Sequence, residues 1–243
     1  MPLRKIALVN DEYYHVFNRS IGKKYVFLDE GANLRFIKLI QYYKFCRRRL
    51  KFSLFNRLPL STQFHILKGI GNEQQRVKIL SYCLMPTHFH FLIEQKVENG
   101  ISDFVGTVLS SFVQYLNRRD ATHGPLFLPN FKAVHIQSDT QLKHASRYIH
   151  LNPVSSGIVK SVEKLGNYPW SSYREYISGA LKVVNKVCDI SDILALFDND
   201  SERYVRFLEM RSGYQRSLEF LKSKKMHVYF PSRKVRAYPS RKG

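Results

Sequence analysis

The pattern of apolar and polar positions predicts a strand near the start of the chain. Aromatic and β-branched residues run from Tyr13 to Arg19 and stop at a polar turn, Ser20 to Lys24. A helix follows over 29–45, with Phe36, Ile37, Ile40 and Tyr43 on one broad face and Arg35 and Lys38 off it. Residues 47–76 look basic and irregular: Arg47, Arg48, Arg49 and Lys51 precede a short apolar segment, Phe64 to Leu67, and the stretch reads as an insertion. Two strands then cover Val77 to Leu84 and Phe89 to Glu94, and Met85, Pro86 and Thr87 between them suit a tight antiparallel reversal. A long helix from Ile101 to Arg119 carries Phe104, Val108, Phe112 and Tyr115 at the spacing of one helical face. Past Gly124 and Pro125 a strand covers Lys132 to Ile136, and Ser138 or Asp139 can cap a helix running from Thr140 to Asn152. Pro153 is expected to end that helix, because proline disfavours the α conformation in the residue before it.

The order β, α, β, β, α, β, α with a central hairpin predicts an α+β fold, a ferredoxin-like antiparallel sheet covered by helices. The catalytic core would then span residues 1–160, with the basic insertion near 46–76. Beyond Gly157 the pattern turns helical, near Ile190 to Phe197 and Glu202 to Leu221, and reads as a C-terminal helical extension over 161–221. From Lys222 onward there are eight Lys or Arg and no acidic residue, with Tyr229, Phe230 and Tyr238 interleaved. That segment reads as a flexible basic tail, either solvated or able to grip phosphates and stack bases.

Charge narrows the partners. Over 243 residues, 39 Lys plus Arg against 19 Asp plus Glu leave a formal charge of +20, which favours a polyanion and makes nucleic acid the leading partner. Cys46, Cys83 and Cys188 form an odd set with no CxxC spacing, which argues against a disulfide framework or a cysteine zinc site and fits a reducing compartment. No run approaches the roughly 20 apolar residues of a membrane helix, so a cytoplasmic protein without membrane partners is expected.

Candidate chemistry sits on two elements. His88 and His90 are two apart on a strand, so both imidazoles point to one face and can share a metal ion, while Phe89, Phe91 and Ile93 point to the other face. Mg and Mn favour oxygen donors, so a third ligand is needed. Tyr148 and Asn152 stand one turn apart on one helix face, and His144 lies one turn the other way. A phenol nucleophile, an amide ligand and two imidazoles on a basic chain are the parts needed for metal-assisted transesterification of a phosphodiester. A buried structural tyrosine would be the ordinary reading of Tyr148 taken alone, since the chain has 15 tyrosines. Tyr115, just ahead of Asn117, Arg118 and Arg119, is a rival nucleophile whose spacing with Phe112 and Val108 reads as core.

Several segments in order carry a family resemblance: Tyr14-His15-Val16-Phe17-Asn18-Arg19, Met85-Pro86-Thr87-His88-Phe89-His90, the stretch from Gly124 to Lys132, Tyr148-Ile149-His150-Leu151-Asn152-Pro153-Val154 and Tyr168-Pro169-Trp170-Ser171-Ser172-Tyr173. From about Tyr13 to Tyr176 the chain resembles the single-tyrosine HUH transposases, above all the REP-associated tyrosine transposases. The resemblance implies a ferredoxin-like domain of the HUH endonuclease type in which His88, His90 and Asn152 hold Mg or Mn. It also implies that Tyr148 attacks phosphorus in single-stranded or hairpin DNA, leaving a 5′-phosphotyrosine and a 3′-hydroxyl, and that the protein acts as a monomer or homodimer. Arg19, Arg118, Arg119, Lys132, Lys143 and Arg147 are the candidate DNA contacts. Lys143 or Arg147 could instead face solvent, and His144 is a candidate proton acceptor. Leu128-Pro129-Asn130-Phe131-Lys132 lacks the basic residue expected before the Phe-Lys pair, which puts one DNA contact in doubt. The alternative reading is a nucleic-acid-binding protein, a repressor or RNA binder, that keeps the fold and does not cleave; a zinc hydrolase would want a richer ligand motif than HxH.

Overall fold

A computed structural model describes residues 7–46, 50–70, 74–177 and 186–210. The predicted tail over 222–243, the end of the last predicted helix and the arginines at 47–49 lie outside the described residues. Four strands, β1 (Tyr13–Arg19), β2 (Val77–Met85), β3 (His88–Gln95) and β4 (Lys132–Ile136), form one sheet in the order β2-β3-β1-β4, and every neighbouring pair is antiparallel. This is the ferredoxin-like α+β arrangement expected from the element order. The β2–β3 reversal needs only Pro86 and Thr87, because Met85 and His88 still pair across it.

On one face of the sheet lie α1 (Glu30–Tyr43) and α4 (Gly100–Arg119), which pack on each other. Phe89 and Phe91 point this way and meet Phe36 at ring-centroid distances of 5.5 and 6.2 Å, and Phe104 meets Phe91 at 5.9 Å. Asp29 caps α1 by accepting from the Ala32 N–H. The opposite face is covered by α5 (Asp139–Ser155), capped by Ser138 accepting from the Gln141 N–H and packed on β2 and β3. The helices therefore clothe both faces of the sheet.

Two local expectations are corrected. Pro153 does not end α5: it sits in the last turn, where its missing N–H leaves a single i→i−4 bond unmade. The helix continues to Ser155 and closes when the Ser156 N–H bonds the Asn152 carbonyl. Gly157, at φ 76°, then reverses the chain in a conformation that costs glycine little. The basic insertion is not irregular throughout, because its described part holds α2 (Phe52–Phe55) and α3 (Leu60–Ile70). Phe52 and Phe55 are buried against Tyr42, which anchors the segment to α1.

The outer edge of β2 is covered. Trp170 O accepts from the Leu84 N–H, the Ser172 N–H donates to Tyr82 O, and the Asp189 N–H donates to Ile79 O. These bonds occupy backbone groups that an open edge would offer to another chain. Three short helices follow the same side: α6 (Tyr173–Ile177), α7 (Ser191–Ala195) and α8 (Ser201–Glu209), with α6 and α8 in contact and α7 and α8 against α5. No helix among the described residues is long and apolar enough to cross a membrane.

Candidate active site

The pleat dictates which side chains reach α5. His88 and His90 on β3 alternate with the core-facing phenylalanines, and the register sets Phe17 beside His90 and Arg19 beside His88 on the same face. Phe17 also pairs with Lys132 of β4. Tyr148 descends from α5 onto this surface, its ring edge-on to His90 at 5.6 Å and to His15 at 5.5 Å. The rings of His88, His90 and Tyr148 border one cavity of about 380 Å³, whose wall also includes Arg19, Lys23 and Lys132. Tyr148 thus faces the two histidines of its own chain.

The histidines are arranged as metal ligands would be. His90 is 4% exposed; its Nδ1 lies 2.9 Å from His15 Nε2, while its Nε2 is buried with no hydrogen-bond partner among the described residues. When His90 Nδ1–H donates to His15, Nε2 keeps the lone pair. His88 Nδ1 lies 3.0 Å from Thr87 Oγ1, which in the same way frees its Nε2, and the two rings stand 5.0 Å apart at 84°. Burial pushes the pKa of His90 well down, with the His15 and His88 charges adding to the effect; burial and then Arg19 lower His88. His15, fully buried, is lowered to about 3 by the same desolvation. Neutral imidazoles are the form that binds metal.

Asn152 lies one turn beyond Tyr148, as expected, and its Nδ2 donates to the Tyr148 carbonyl at 2.8 Å. With the amide nitrogen committed, the oxygen, a hard donor, is the atom left for a cation. Asn152 is not part of the cavity wall, and among the described residues no group of three His, Cys, Asp or Glu is clustered as a metal site. The Tyr148 phenol is pushed above its ordinary pKa by burial first and then by the nearby Cys83. It is therefore protonated at neutral pH and must lose its proton as it attacks.

Of the candidate DNA contacts, Arg19 and Lys132 stand on the cavity as expected. Arg147 does not face solvent or the cavity: it is 1% exposed, its guanidinium lies 4.1 Å from the Phe207 ring centre and its Nη1 donates to Phe207 O. Lys143 is likewise turned to the C-terminal helices, 5.0 Å over Phe197, and His144 bonds Arg147 through Nδ1 and packs beside Phe207. Arg147 and Lys143 are corrected as site residues, because the 190–209 segment covers the outer side of α5. Arg118 and Arg119 lie at the end of α4, in the layer beyond the sheet from Tyr148, and so does Tyr115, whose ring is faced by Arg35 at 5.0 Å. The rival nucleophile is thereby remote from the histidine pair. His15 was not singled out from sequence; the signal available was its place two residues before Phe17 on a strand facing the same way.

Residues 38–152 match a family model described as Transposase IS200 like, a segment that contains His88, His90, Tyr148 and Asn152. No curated protein matches the chain by sequence. Among solved structures, the chain is similar to one entitled "Structure of the REP associates tyrosine transposase bound to a REP hairpin", at 14% identity and a TM-score of 0.52 over 78% of this chain and 93% of that one. At that identity the likeness establishes a common fold, and both comparisons agree with the resemblance carried by the sequence motifs.

Proposed function

We propose that this chain, whose IS200-like transposase segment holds the histidine pair and Tyr148, is a DNA-processing enzyme that cleaves and rejoins single-stranded or hairpin DNA through Tyr148. The observation that carries this reading is the placement of the Tyr148 ring over His90 and His15, at the cavity shared with His88, Arg19 and Lys132. Arg19 and Lys132 supply positive charge where a phosphodiester would enter. The phenol oxygen bonds phosphorus, the P–O3′ bond breaks, and a 3′-hydroxyl leaves with a proton; the energy of the broken linkage is kept in the phosphotyrosine for rejoining. His88 and His90 through Nε2, with the Asn152 amide oxygen, are the residues that would hold Mg or Mn. A cation there would draw charge from the scissile phosphate and favour the phenolate.

The test is a covalent adduct. Incubated with end-labelled single-stranded hairpin DNA and Mn, the wild-type protein should give a complex that survives denaturing electrophoresis. Tyr148→Phe should abolish it and Tyr115→Phe should retain it. A Tyr148→Phe protein that still forms the adduct would remove the proposed nucleophile, and binding without any adduct across hairpin substrates would leave only a DNA-binding protein.

A further inference from the structure

The tyrosine helix is gripped by residues beyond 152, where the family-model match ends, and the grip converges on His150. This side chain is fully buried; its Nδ1 lies 2.6 Å from the Tyr204 hydroxyl of α8 and its Nε2 2.8 Å from Ser172 Oγ. Ser172 is itself fixed to β2, because its Oγ accepts from the Tyr82 N–H at 2.9 Å and donates to the Tyr82 carbonyl at 3.2 Å. With that proton used, Ser172 accepts from His150, so Nε2 carries the hydrogen and Nδ1 accepts from Tyr204. Tyr204 in turn accepts from Ser146 Oγ at 2.6 Å. A neutral imidazole, with one donor and one acceptor, thereby completes a chain of hydrogen bonds from α8 through α5 to the sheet.

The place of His150 in the helix gives this clamp a use. It stands midway between Tyr148 and Asn152 in sequence, and at about 100° per residue it points opposite the direction midway between those two side chains. It is accordingly not on the wall of the active-site cavity. A fixed point on that side sets the rotation of α5 about its axis, and with it the position of the phenol over His90. A rotation of about 10° moves an atom about 5–6 Å from the axis by about 1 Å. An error of about 1 Å in a reacting group costs on the order of a hundredfold in rate. Arg147, next to Tyr148, adds a second hold on α8 by donating from Nη1 to the Phe207 carbonyl at 3.1 Å.

We infer that His150 is a positioning residue for the strand-cleavage step, holding Tyr148 and Asn152 at the histidine pair through Tyr204 of α8 and Ser172. It acts only through α5, and the inference rests on the reading of Tyr148 as the nucleophile.

The experiment measures the single-turnover rate of adduct formation on end-labelled hairpin DNA with Mn, and hairpin affinity by fluorescence anisotropy, well below the melting temperature of every variant. His150→Phe keeps a buried ring and loses both hydrogen bonds, while Tyr204 retains Ser146 and Ser172 retains Tyr82, so the fold is expected to survive. Its rate at saturating DNA should fall on the order of tenfold to a hundredfold, with the dissociation constant within about twofold of wild type. His150→Gln, which can still donate to Ser172 from the place of Nε2, should recover at least about threefold of that loss. Tyr204→Phe, a milder change, should slow the adduct by roughly threefold to tenfold, and it carries the same comparison should His150→Phe not fold. Val108→Ala, buried in α4 beyond the sheet, is the stability control: its melting temperature should drop by about 4–8 °C with the adduct rate within about twofold of wild type. A His150→Phe protein that reacts within about twofold of wild type overturns the inference. So do a loss confined to affinity, no recovery in His150→Gln, or an equal slowing in Val108→Ala. A wild-type protein that binds the hairpin and forms no adduct overturns the reading beneath it instead.

Discussion

Tyr204→Phe tests what holds the tyrosine helix in place. The Tyr204 hydroxyl, fully buried, lies 2.6 Å from Ser146 Oγ and 2.6 Å from His150 Nδ1, both on α5. His150 Nε2 continues the chain to Ser172 Oγ at 2.8 Å, and that hydroxyl accepts from the Tyr82 N–H of β2 at 2.9 Å. One hydroxyl thus ties α8 and α5 to the sheet edge. Removing it changes no packing volume beyond one oxygen, too small a gap for a water to enter. Ser146 can turn its hydroxyl to a carbonyl one helical turn back, which leaves His150 Nδ1 as the group without a partner. A buried polar atom left unpaired costs about 1–3 kcal/mol, so about 2 kcal/mol is expected. In a chain of this size that corresponds to a melting point lower by about 4–8 °C. Thermal unfolding followed by circular dichroism at pH 7.5 measures it, with Tyr25→Phe, an exposed tyrosine, as the control expected to stay within about 0.5 kcal/mol of wild type. A Tyr204→Phe protein that melts within about 1 °C of wild type would refute the network as a source of stability.

Two further outcomes follow from the buried histidines. His15 and His150 are both held down to about 3 by burial, from an ordinary 6.5. The folded protein keeps them neutral while the unfolded chain takes up protons below about pH 6.5, so their contribution is complete above that pH and is lost as pH falls towards 3. Each costs about 1.4 kcal/mol per pH unit in that window, or roughly 4 kcal/mol for both between pH 6.5 and 5. Urea unfolding at pH 7, 6 and 5 reads the slope; His150→Gln should remove about half of it, and a flat profile in the wild type would contradict the burial argument. His15→Phe removes the hydrogen bond that orients His90, so Mn affinity by calorimetry should weaken about 10–100-fold with the fold retained. Unchanged affinity would deny His15 its positioning role.

How much of this was legible beforehand follows from the range of the interactions involved. The hairpin and the strands over 13–19 and 132–136 are written in short runs rich in aromatic and aliphatic residues bounded by turn residues. The common face of His88 and His90 comes from the pleat, and the one-turn spacing of Tyr148 and Asn152 from the helix. These relations hold between residues two to four apart, where covalent geometry and chirality leave few choices. The +20 charge likewise pointed to a polyanion without any structure.

The rest depended on contacts between residues far apart in the chain. His15 gained its meaning only when β1 was registered against β3, 75 residues away from its partner His90. Arg147 and Lys143 look exposed on α5 until the segment from Ile190 to Glu209 folds back over them, and their charge is then spent on Phe207 and Phe197. Which face of the sheet α5 covers, and hence whether Tyr148 or Tyr115 meets the histidines, was decided by how the layers stack. The sequence alone determined the elements and the residue types available for chemistry. Tertiary structure chose which of them meet, because strand register and layer order are settled by burial summed over the whole core rather than by any local pattern.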